Sequence, residues 1–227
     1  MGANLVATMD LAAALARAEL FQSLDDDAVA AVAKEARLVS LQRNQSVFSE
    51  GDAAEELYVV QSGRIAIAKR ASDGRESVVA LMEDDDLFGE MPFFDGEGRS
   101  AQARALEPSE LLAVPYPPMR AVLEERPTLL WNVTSLLVRR LRSTDDALAD
   151  SMFLDVTGRT AKRLLELAGD SDRFVLPVTQ EELAGMVGAS RERVNKAISA
   201  FIRLGWIEQA ERRYRIVDRE QLTRRAH

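Results

Sequence analysis

The segment 87–101, LFGEMPFFDGEGRSA, contains residue types that could bind a small phosphorylated ligand. A Gly-Glu pair is followed, nine residues later and after a loop with two more glycines, by an Arg-Ser-Ala triplet. Arginine, serine and neighbouring backbone N–H groups can hold a phosphate, at about 1.5–3 kcal/mol per charge-assisted hydrogen bond, and a carboxylate can accept ribose hydroxyls. The spacing alone fits equally well a glycine-rich loop that carries a surface Arg–Glu pair. The candidate ligand-binding residues are Gly89, Glu90, Arg99, Ser100 and Ala101.

A second set of candidates lies in the segment 178–208, VTQEELAGMVGASRERVNKAISAFIRLGWIE. Thr179 and Glu182 are spaced as a capping box, a Gly-Ala-Ser turn follows, and Ser190 is placed to cap a second helix that Gly205 ends. Capping, spacing and core pattern agree, so the segment predicts a helix-turn-helix motif. The residues expected on the apolar face of the second helix are Val194, Ala197, Ile198, Phe201 and Ile202.

The outward face of that second helix is polar at the end where such motifs reach the base edges of the major groove. Arginine pairs well with guanine O6 and N7, and glutamate can accept from cytosine N4. Residues 206–209 and 213–217 are predicted as a wing hairpin, whose Ala-Glu-Arg turn lacks the usual glycine and whose arginines would contact phosphates. A solvated charged face is the alternative for these side chains. The candidate DNA-binding residues are Thr179, Ser190, Arg191, Glu192, Asn195, Lys196, Arg212 and Arg213.

Composition excludes several kinds of chemistry. The chain has no cysteine, so disulfides, thiolate-bound zinc, iron–sulfur clusters and thiol nucleophiles are excluded. Its only histidine is the terminal His227, which is a poor basis for a haem, a histidine-ligated metal or a Ser-His-Asp triad. We therefore expect no metal, haem or iron–sulfur cluster. We also expect no enzyme activity, because no nucleophile–base pair is visible.

Charge is unevenly distributed along the chain, whose net charge is −8. Residues 157–227 carry 14 Lys and Arg against 10 Asp and Glu, a net charge of +4, which leaves −12 for residues 1–156. A basic segment beside an acidic one suits nucleic-acid binding, although a solvated basic face would look the same. The N-terminus lacks a basic start followed by an apolar run, so we expect no signal peptide, no membrane span and a cytoplasmic protein.

The elements that must position the first site lie in residues 1–126. Residues 10–21 and 25–37 are predicted as two short alanine-rich helices, the second opened by aspartates that favour the helix dipole. Further along, short β-rich runs alternate with turn signals such as Asp73-Gly74. About seven strands with this punctuation predict a small antiparallel barrel or jelly roll.

A single long helix is predicted over residues 127–154, between the β-rich part and the helix-turn-helix part. Its residues repeat in steps of three and four, which is the a/d seam of a coiled coil. A seam needs a partner helix, so the pattern predicts a homodimer through 127–154, with an ordinary bundle helix as the alternative because the seam spans barely three heptads. Residues 155–227 then form the third part of the chain. The seam residues are Thr134, Leu137, Leu141, Thr144 and Leu148.

In these motifs the chain resembles the CRP/FNR family of bacterial regulators, over about residues 12–225. FGE followed by RSA is similar to that family's phosphate-binding cassette, FLDVTGR at 153–159 to its hinge, and SRE at 190–192 to the start of its recognition helix. The nine-residue step looks closest to the actinobacterial cAMP-receptor branch. The resemblance implies an α+β fold with a cyclic-nucleotide-binding antiparallel β-roll, a long dimerisation helix and a C-terminal winged helix-turn-helix.

The resemblance also implies a role for each cassette residue. Arg99 and Ser100 would bind the cyclic phosphate, Glu90 the ribose 2′-hydroxyl, and Gly89 and Ala101 would make backbone contacts. The implied ligand is cAMP. The implied macromolecular partners are double-stranded DNA, a second copy of the chain and RNA polymerase.

Thr144 and Asp145 stand where the family contacts the adenine ring, one residue from each subunit. The chain departs from the family's usual pattern at several positions. Met91 replaces a leucine, Asp85 stands where glycine is common, Asp145 where serine or asparagine is usual, and Lys196 where arginine is frequent. None of these changes removes a polar ligand of the cassette.

The motifs together favour a homodimeric transcription factor whose DNA affinity depends on a cyclic nucleotide, cAMP in the first instance. A second interpretation keeps the DNA-binding dimer and changes the effector, or leaves a relic pocket with constitutive DNA binding. A third is a nucleotide-responsive module that acts through a protein partner, like the regulatory subunits that share this β-roll.

Overall fold

The computed structural model describes residues 10–22, 24–71 and 76–227. The predicted Asp73-Gly74 turn lies outside the described residues. The chain forms two compact units, the first from the described residues up to Lys69 with Ala80–Arg139, and the second from Arg70–Val79 with Arg140–His227.

Two short helices, α1 Leu11–Arg17 and α2 Asp26–Ala33, come first among the described residues. Each starts at an aspartate whose side chain accepts from backbone N–H groups, Asp10 from Ala12 and Ala13, and Asp25 from Ala28. Both helices are shorter than the predicted 10–21 and 25–37. The second prediction failed at its end because the last predicted helical residue, Arg37, is the first residue of a strand.

The β-rich part of the chain forms two four-stranded antiparallel sheets, so the predicted jelly roll is confirmed. One sheet has the order β1–β8–β3–β6 and the other β2–β7–β4–β5. Apolar residues between the sheets and apolar residues between the first sheet and the helices form two core clusters. The strands are β1 Arg37–Leu41, β2 Ser46–Phe48, β3 Glu56–Ser62, β4 Ile65–Arg70, β5 Glu76–Met82, β6 Leu87–Phe88, β7 Gln102–Ala105 and β8 Ser109–Pro115.

Two helices in this part of the chain were not predicted, α3 Met91–Asp95 and α4 Tyr116–Glu125. Both have proline in their first turn, where the missing N–H costs nothing. The one-turn helix α3 begins directly after Glu90. It therefore fixes the direction in which the chain leaves the Gly-Glu pair of the candidate site.

The predicted long helix is confirmed as α5, Leu130–Phe153, preceded by a 3₁₀ turn at Pro127–Leu129. Within α5 only Val133 is buried. Most of the other large apolar side chains on α5 are exposed, and they include three of the predicted seam positions. These exposed residues are Leu130, Trp131, Leu137, Val138, Leu141, Leu148, Met152 and Phe153.

The second unit contains the predicted helix-turn-helix, α7 Gln180–Val187 and α8 Arg191–Arg203, packed on α6 Val156–Ala168. A three-stranded antiparallel sheet, in the order β10–β11–β9, completes it with the short helix α9 Arg219–Arg225. Its strands are β9 Arg173–Val175, β10 Ile207–Ala210 and β11 Arg213–Ile216. The wing hairpin is thus confirmed as β10 and β11, whereas β9 and α9 were missed.

The predicted caps of the two helix-turn-helix helices are present. Thr179 and Glu182 form a reciprocal capping box, and Ser190 Oγ accepts from the backbone N–H of Arg193. Gly188 ends α7 with a φ of +66°, in the left-handed region that glycine adopts without steric cost. The prediction was wrong for Ile202, which is exposed, because the buried stripe of α8 ends at Phe201.

No helix in the described ranges is both long enough and apolar enough to cross a membrane.

Candidate functional site

Arg99 is the most unusual residue of the first unit, because its charged side chain is only 4% exposed. Its Nη1 donates to the carbonyl of Gly89 at 2.8 Å, and its Nη2 donates to the carbonyl of Glu56 at 2.8 Å. The hydroxyl of Tyr116 donates to the same Gly89 carbonyl at 2.8 Å. Burial raises the pKa of Tyr116, so this hydroxyl keeps its proton and its role as a donor.

An aromatic surface supports the guanidinium of Arg99. Its Cζ lies 4.1 Å from the ring centroid of Phe48 and 5.5 Å from that of Tyr58. These rings pack with Phe88 in one cluster, with centroid distances of 5.3–6.1 Å. Such cation–π contacts stabilise a desolvated cation by up to about 2 kcal/mol.

Arg99 buries its charge beside carbonyl groups and aromatic rings. In the described part of the chain it forms no ion pair, and its Nε–H is buried without a hydrogen-bond partner. A buried cation is costly unless an anion and hydrogen-bond acceptors accompany it. Carbonyls and aromatic faces offset only part of this cost. The site is therefore suited to an anion that brings its own negative charge.

Gly89 permits the close approach that the sequence predicted. Its φ is +79°, and a Cβ atom at this position would lie 2.7 Å from Nη1 of Arg99. Any other residue would therefore push the guanidinium away from the Gly89 carbonyl. The glycine is required both by the backbone conformation and by the position of the arginine.

The other cassette residues lie beside this arginine. Glu90 is 1% exposed and occupies the N-terminal boundary of α3, while Ala101 is buried directly before β7. Ser100 is exposed, and its hydroxyl donates to Sδ of Met91 at 3.3 Å. The structure thus places a buried carboxylate, a buried guanidinium and an accessible hydroxyl along the two segments that the sequence had paired.

Asp85, in the turn before Gly89, occupies the backbone conformation that favours glycine. Its φ is +69°, which costs a non-glycine residue about 1 kcal/mol or more. Arg17 of α1 donates from Nε to its Oδ1 at 2.8 Å. This ion pair offsets part of the strain and explains how the turn keeps its shape without the usual glycine.

Thr144 and Asp145 lie on α5, within the second compact unit. Thr144 lines a cavity of about 410 Å³ in that unit, but its hydroxyl donates to the carbonyl of Arg140 at 3.0 Å. Asp145 is exposed. Their approach to the base of a nucleotide stays a prediction.

The outward face of α8 carries the predicted base-reading side chains. Arg191, Glu192 and Lys196 are exposed, Asn195 is half-buried, and none of the four forms an ion pair with a described residue. Val194, Ala197, Ile198 and Phe201 hold the opposite face in the core, so these polar residues have a fixed direction. This is the arrangement in which a helix presents its N-terminal end to the major groove.

The two wing arginines differ in their surroundings. Nη2 of Arg212 donates to the carbonyl of Leu176 at 2.9 Å, so its guanidinium also holds the chain that leads into α7. Arg213 is exposed and forms no side-chain hydrogen bond with the described residues. Between the strands, Glu211 takes the left-handed turn position with a φ of +56°, where the sequence had suggested a missing glycine.

No local feature of the sequence predicted the aromatic side of the site. Phe48, Tyr58 and Tyr116 come from β2, β3 and the start of α4, far from the cassette in sequence. Only the antiparallel pairing of β2 with β7 and of β3 with β8 brings them to Arg99.

Two family profiles match the chain. The cyclic nucleotide-binding domain matches residues 38–126, and the Crp-like helix-turn-helix domain matches residues 158–225. The first range contains Arg99 and its surroundings, and the second contains α8 and the wing.

Relatives and solved structures cover most of the chain. It is 40% identical over 219 residues to the CRP-like cAMP-activated global transcriptional regulator of Mycobacterium tuberculosis, covering 93% of this chain and 98% of that protein. It is 34% identical over 155 residues to the cAMP-activated global transcriptional regulator CRP of Pasteurella multocida, covering 65% and 74%. FixK2 from Bradyrhizobium japonicum shares the fold, with a TM-score of 0.77 and 20% identity over 85% of this chain and 98% of that one.

Proposed function

Because the chain belongs to the CRP/FNR family of DNA-binding transcriptional regulators, we propose that it is a cytoplasmic homodimer whose affinity for operator DNA is controlled by cAMP. Membership of this family makes the chain a regulator and not an enzyme. The proposal includes the identity of the effector, the dimeric state, the type of operator and a contact with RNA polymerase.

The buried guanidinium of Arg99 carries the proposal for the effector. It has aromatic and carbonyl neighbours but no acidic partner among the described residues, and one buried N–H is left over. A cyclic phosphate would bring a negative charge directly to this guanidinium and would accept this N–H. The hydroxyl of Ser100 gives a second donor, and the buried carboxylate of Glu90 is placed to accept a ribose hydroxyl.

The exposed apolar stripe of α5 supports a second copy of the chain as partner. Leu137, Leu141 and Leu148 lie at the seam positions and are 37%, 60% and 59% exposed. Pairing of two such seams removes these side chains from water, with about 25 cal/mol gained per Å² of apolar surface buried. Thr134 and Thr144, at polar seam positions, would set the register of the pair.

A dimer of this kind presents two recognition helices to DNA. We expect it to bind two inverted half-sites one helical turn apart, about 34 Å, because both helices must enter successive major grooves on one face. Arg191 and Glu192 would read bases, Lys196 a base or a phosphate, and Asn195 would lie at the same surface. Thr179 and Ser190, at the helix starts, would approach the DNA backbone.

The control by cAMP follows from α5, which would carry both the dimer seam and the proposed adenine contacts. A base bound against Thr144 of one protomer and Asp145 of the other would lock the helix pair and align the two reading heads. The ligand can shift this equilibrium only by its different affinities for the two arrangements.

Calorimetric titration with cAMP and with cGMP, each with and without operator DNA, tests the proposed function. We expect cAMP to bind more tightly than cGMP and more tightly still in the presence of DNA, because coupling between two sites is reciprocal. Tighter binding of another nucleotide than of cAMP would show that cAMP is not the effector. DNA binding at full affinity with no nucleotide effect would indicate a relic pocket.

Replacement of Asp145 by asparagine tests the origin of nucleotide discrimination. The carboxylate can accept from the adenine amino group and repels the guanine O6, whereas asparagine can donate to that O6. We expect Asp145→Asn to reduce the ratio of cAMP to cGMP affinity by about tenfold, the value of roughly one hydrogen bond to a charged group. An unchanged ratio would show that Asp145 is a solvated surface residue.

A further inference from the structure

Met91 stands at the edge of the cassette, in the position where the sequence departs from the family's usual leucine. It is the first residue of α3 and is 45% exposed. Its sulfur is the acceptor for the hydroxyl of Ser100, with a distance of 3.3 Å between Oγ and Sδ. The side chain that offers a second donor to the phosphate is therefore held by a thioether.

A thioether sulfur is a weak hydrogen-bond acceptor. The hydroxyl of Ser100 can leave it for a phosphate oxygen at little cost, and the free protein still keeps the hydroxyl directed along the surface of the site. A leucine at this position would offer no acceptor at all. The oxidation state of the Met91 sulfur would therefore affect how readily the hydroxyl of Ser100 binds a phosphate.

We propose that Met91 is an oxidation site, and that conversion of its thioether to the sulfoxide by a peroxide lowers the affinity of this site for cyclic nucleotides. The inference rests on the proposed function and adds a level of regulation to it. The sulfur donates an electron pair to one oxygen of hydrogen peroxide, an S–O bond forms and the O–O bond breaks. The departing hydroxide takes the proton of the transferred oxygen and leaves as water.

The sulfoxide changes the site in two ways. Its oxygen is a stronger acceptor than the thioether sulfur, so it competes with a phosphate oxygen for the hydroxyl of Ser100. The modified side chain is also larger and more polar, and it lies against the hydroxyl proposed to bind the phosphate. Because the thioether is exposed, the reagent reaches it without unfolding of the protein. The modification is reversible, since methionine sulfoxide reductases restore the thioether.

The test is a cAMP titration of wild type and Met91→Leu, each before and after treatment with hydrogen peroxide, with the extent of oxidation at Met91 measured by mass spectrometry. Met91→Leu is a matched control because it keeps every other methionine of the chain. We expect oxidised wild type to bind cAMP about tenfold more weakly, roughly the loss of one charge-assisted hydrogen bond. We expect treated and untreated Met91→Leu to bind equally, with affinity close to that of untreated wild type.

Met91→Gln provides a version of the test without oxidant, because its amide oxygen is a polar acceptor of similar length. We expect it to bind cAMP more weakly than Met91→Leu while melting at the same temperature. Equal affinity of wild type before and after complete oxidation of Met91 would overturn the inference. Absence of cyclic-nucleotide binding by untreated wild type would overturn the proposed function as well.

Discussion

Replacement of Arg99 by alanine is expected to reduce the affinity for cAMP by at least about 100-fold. Two charge-assisted hydrogen bonds to the phosphate, at about 1.5 kcal/mol each, account for a loss of this size. The loss is larger if the remaining donor, Ser100, cannot hold the phosphate alone. The cAMP affinity of Arg99→Lys should lie between those of wild type and Arg99→Ala, because an ammonium keeps the charge but not the planar fork of donors.

The same substitution is expected to leave the fold intact. The guanidinium of Arg99 forms no ion pair with the described residues, so its removal takes away a buried charge and leaves the carbonyls of Gly89 and Glu56 as the groups to be solvated. Arg64→Ala is the matched control. Arg64 is a partly buried arginine of the same unit, but it pairs with Glu83 and Glu107.

Isothermal titration of wild type, Arg99→Ala and Arg64→Ala with cAMP measures the loss of binding, and circular dichroism melting of each measures the loss of stability. Arg64→Ala should bind cAMP as wild type does and lose stability, whereas Arg99→Ala should lose binding. If Arg99→Ala binds cyclic nucleotides as tightly as wild type, the cassette does not hold the phosphate.

Replacement of Arg191 by alanine is expected to weaken binding to the operator by about 1–3 kcal/mol and to relax base preference at one position of each half-site. The expectation follows from the place of Arg191 at the exposed first position of α8, whose other face is fixed in the core. Arg213→Ala is the matched control. It should weaken specific and random DNA alike and make the salt dependence less steep, as the loss of a phosphate contact does.

Competition binding with operator duplexes changed at single base pairs, and with random DNA, measures both effects. Equal loss on specific and random DNA from Arg191→Ala would rule out a base-reading role. If Arg213→Ala weakens binding to the operator but not to random DNA, Arg213 contacts bases and not the DNA backbone.

Local signals in the sequence were enough to predict the helix-turn-helix, whereas the joint site of Gly89 and Arg99 was predicted from the resemblance to the CRP/FNR family. A capping box, a glycine in the left-handed region and an apolar stripe each depend on residues within one or two helical turns. Such features can therefore be recognised from neighbouring residues in the sequence. The long helix α5 was predictable for the same reason. Its seam is visible because the repeat of three and four residues extends over most of its length.

Features created by distant contacts could not be predicted in this way. The aromatic surface under Arg99 depends on strand pairing between β2 and β7 and between β3 and β8. Strand β9 has only three residues and exists because it pairs with β11, and α9 packs on α6 from the other end of the domain. Arg212 illustrates the same limit, since its bond to the Leu176 carbonyl requires the chain before α7 to lie beside the wing.

The central claim is that a cyclic nucleotide controls the affinity for DNA, and fluorescence anisotropy with one labelled duplex tests it most directly. The duplex carries an inverted repeat, obtained by selection with the purified protein, whose half-site centres are about 34 Å apart. We predict that saturating cAMP raises the affinity of wild type for this duplex by about 5–150-fold, the usual range of coupling between two sites. The same cAMP concentration should leave the affinity of Arg99→Ala unchanged. Equal affinity of wild type with and without cAMP, at a concentration that calorimetry shows to be saturating, would contradict the claim.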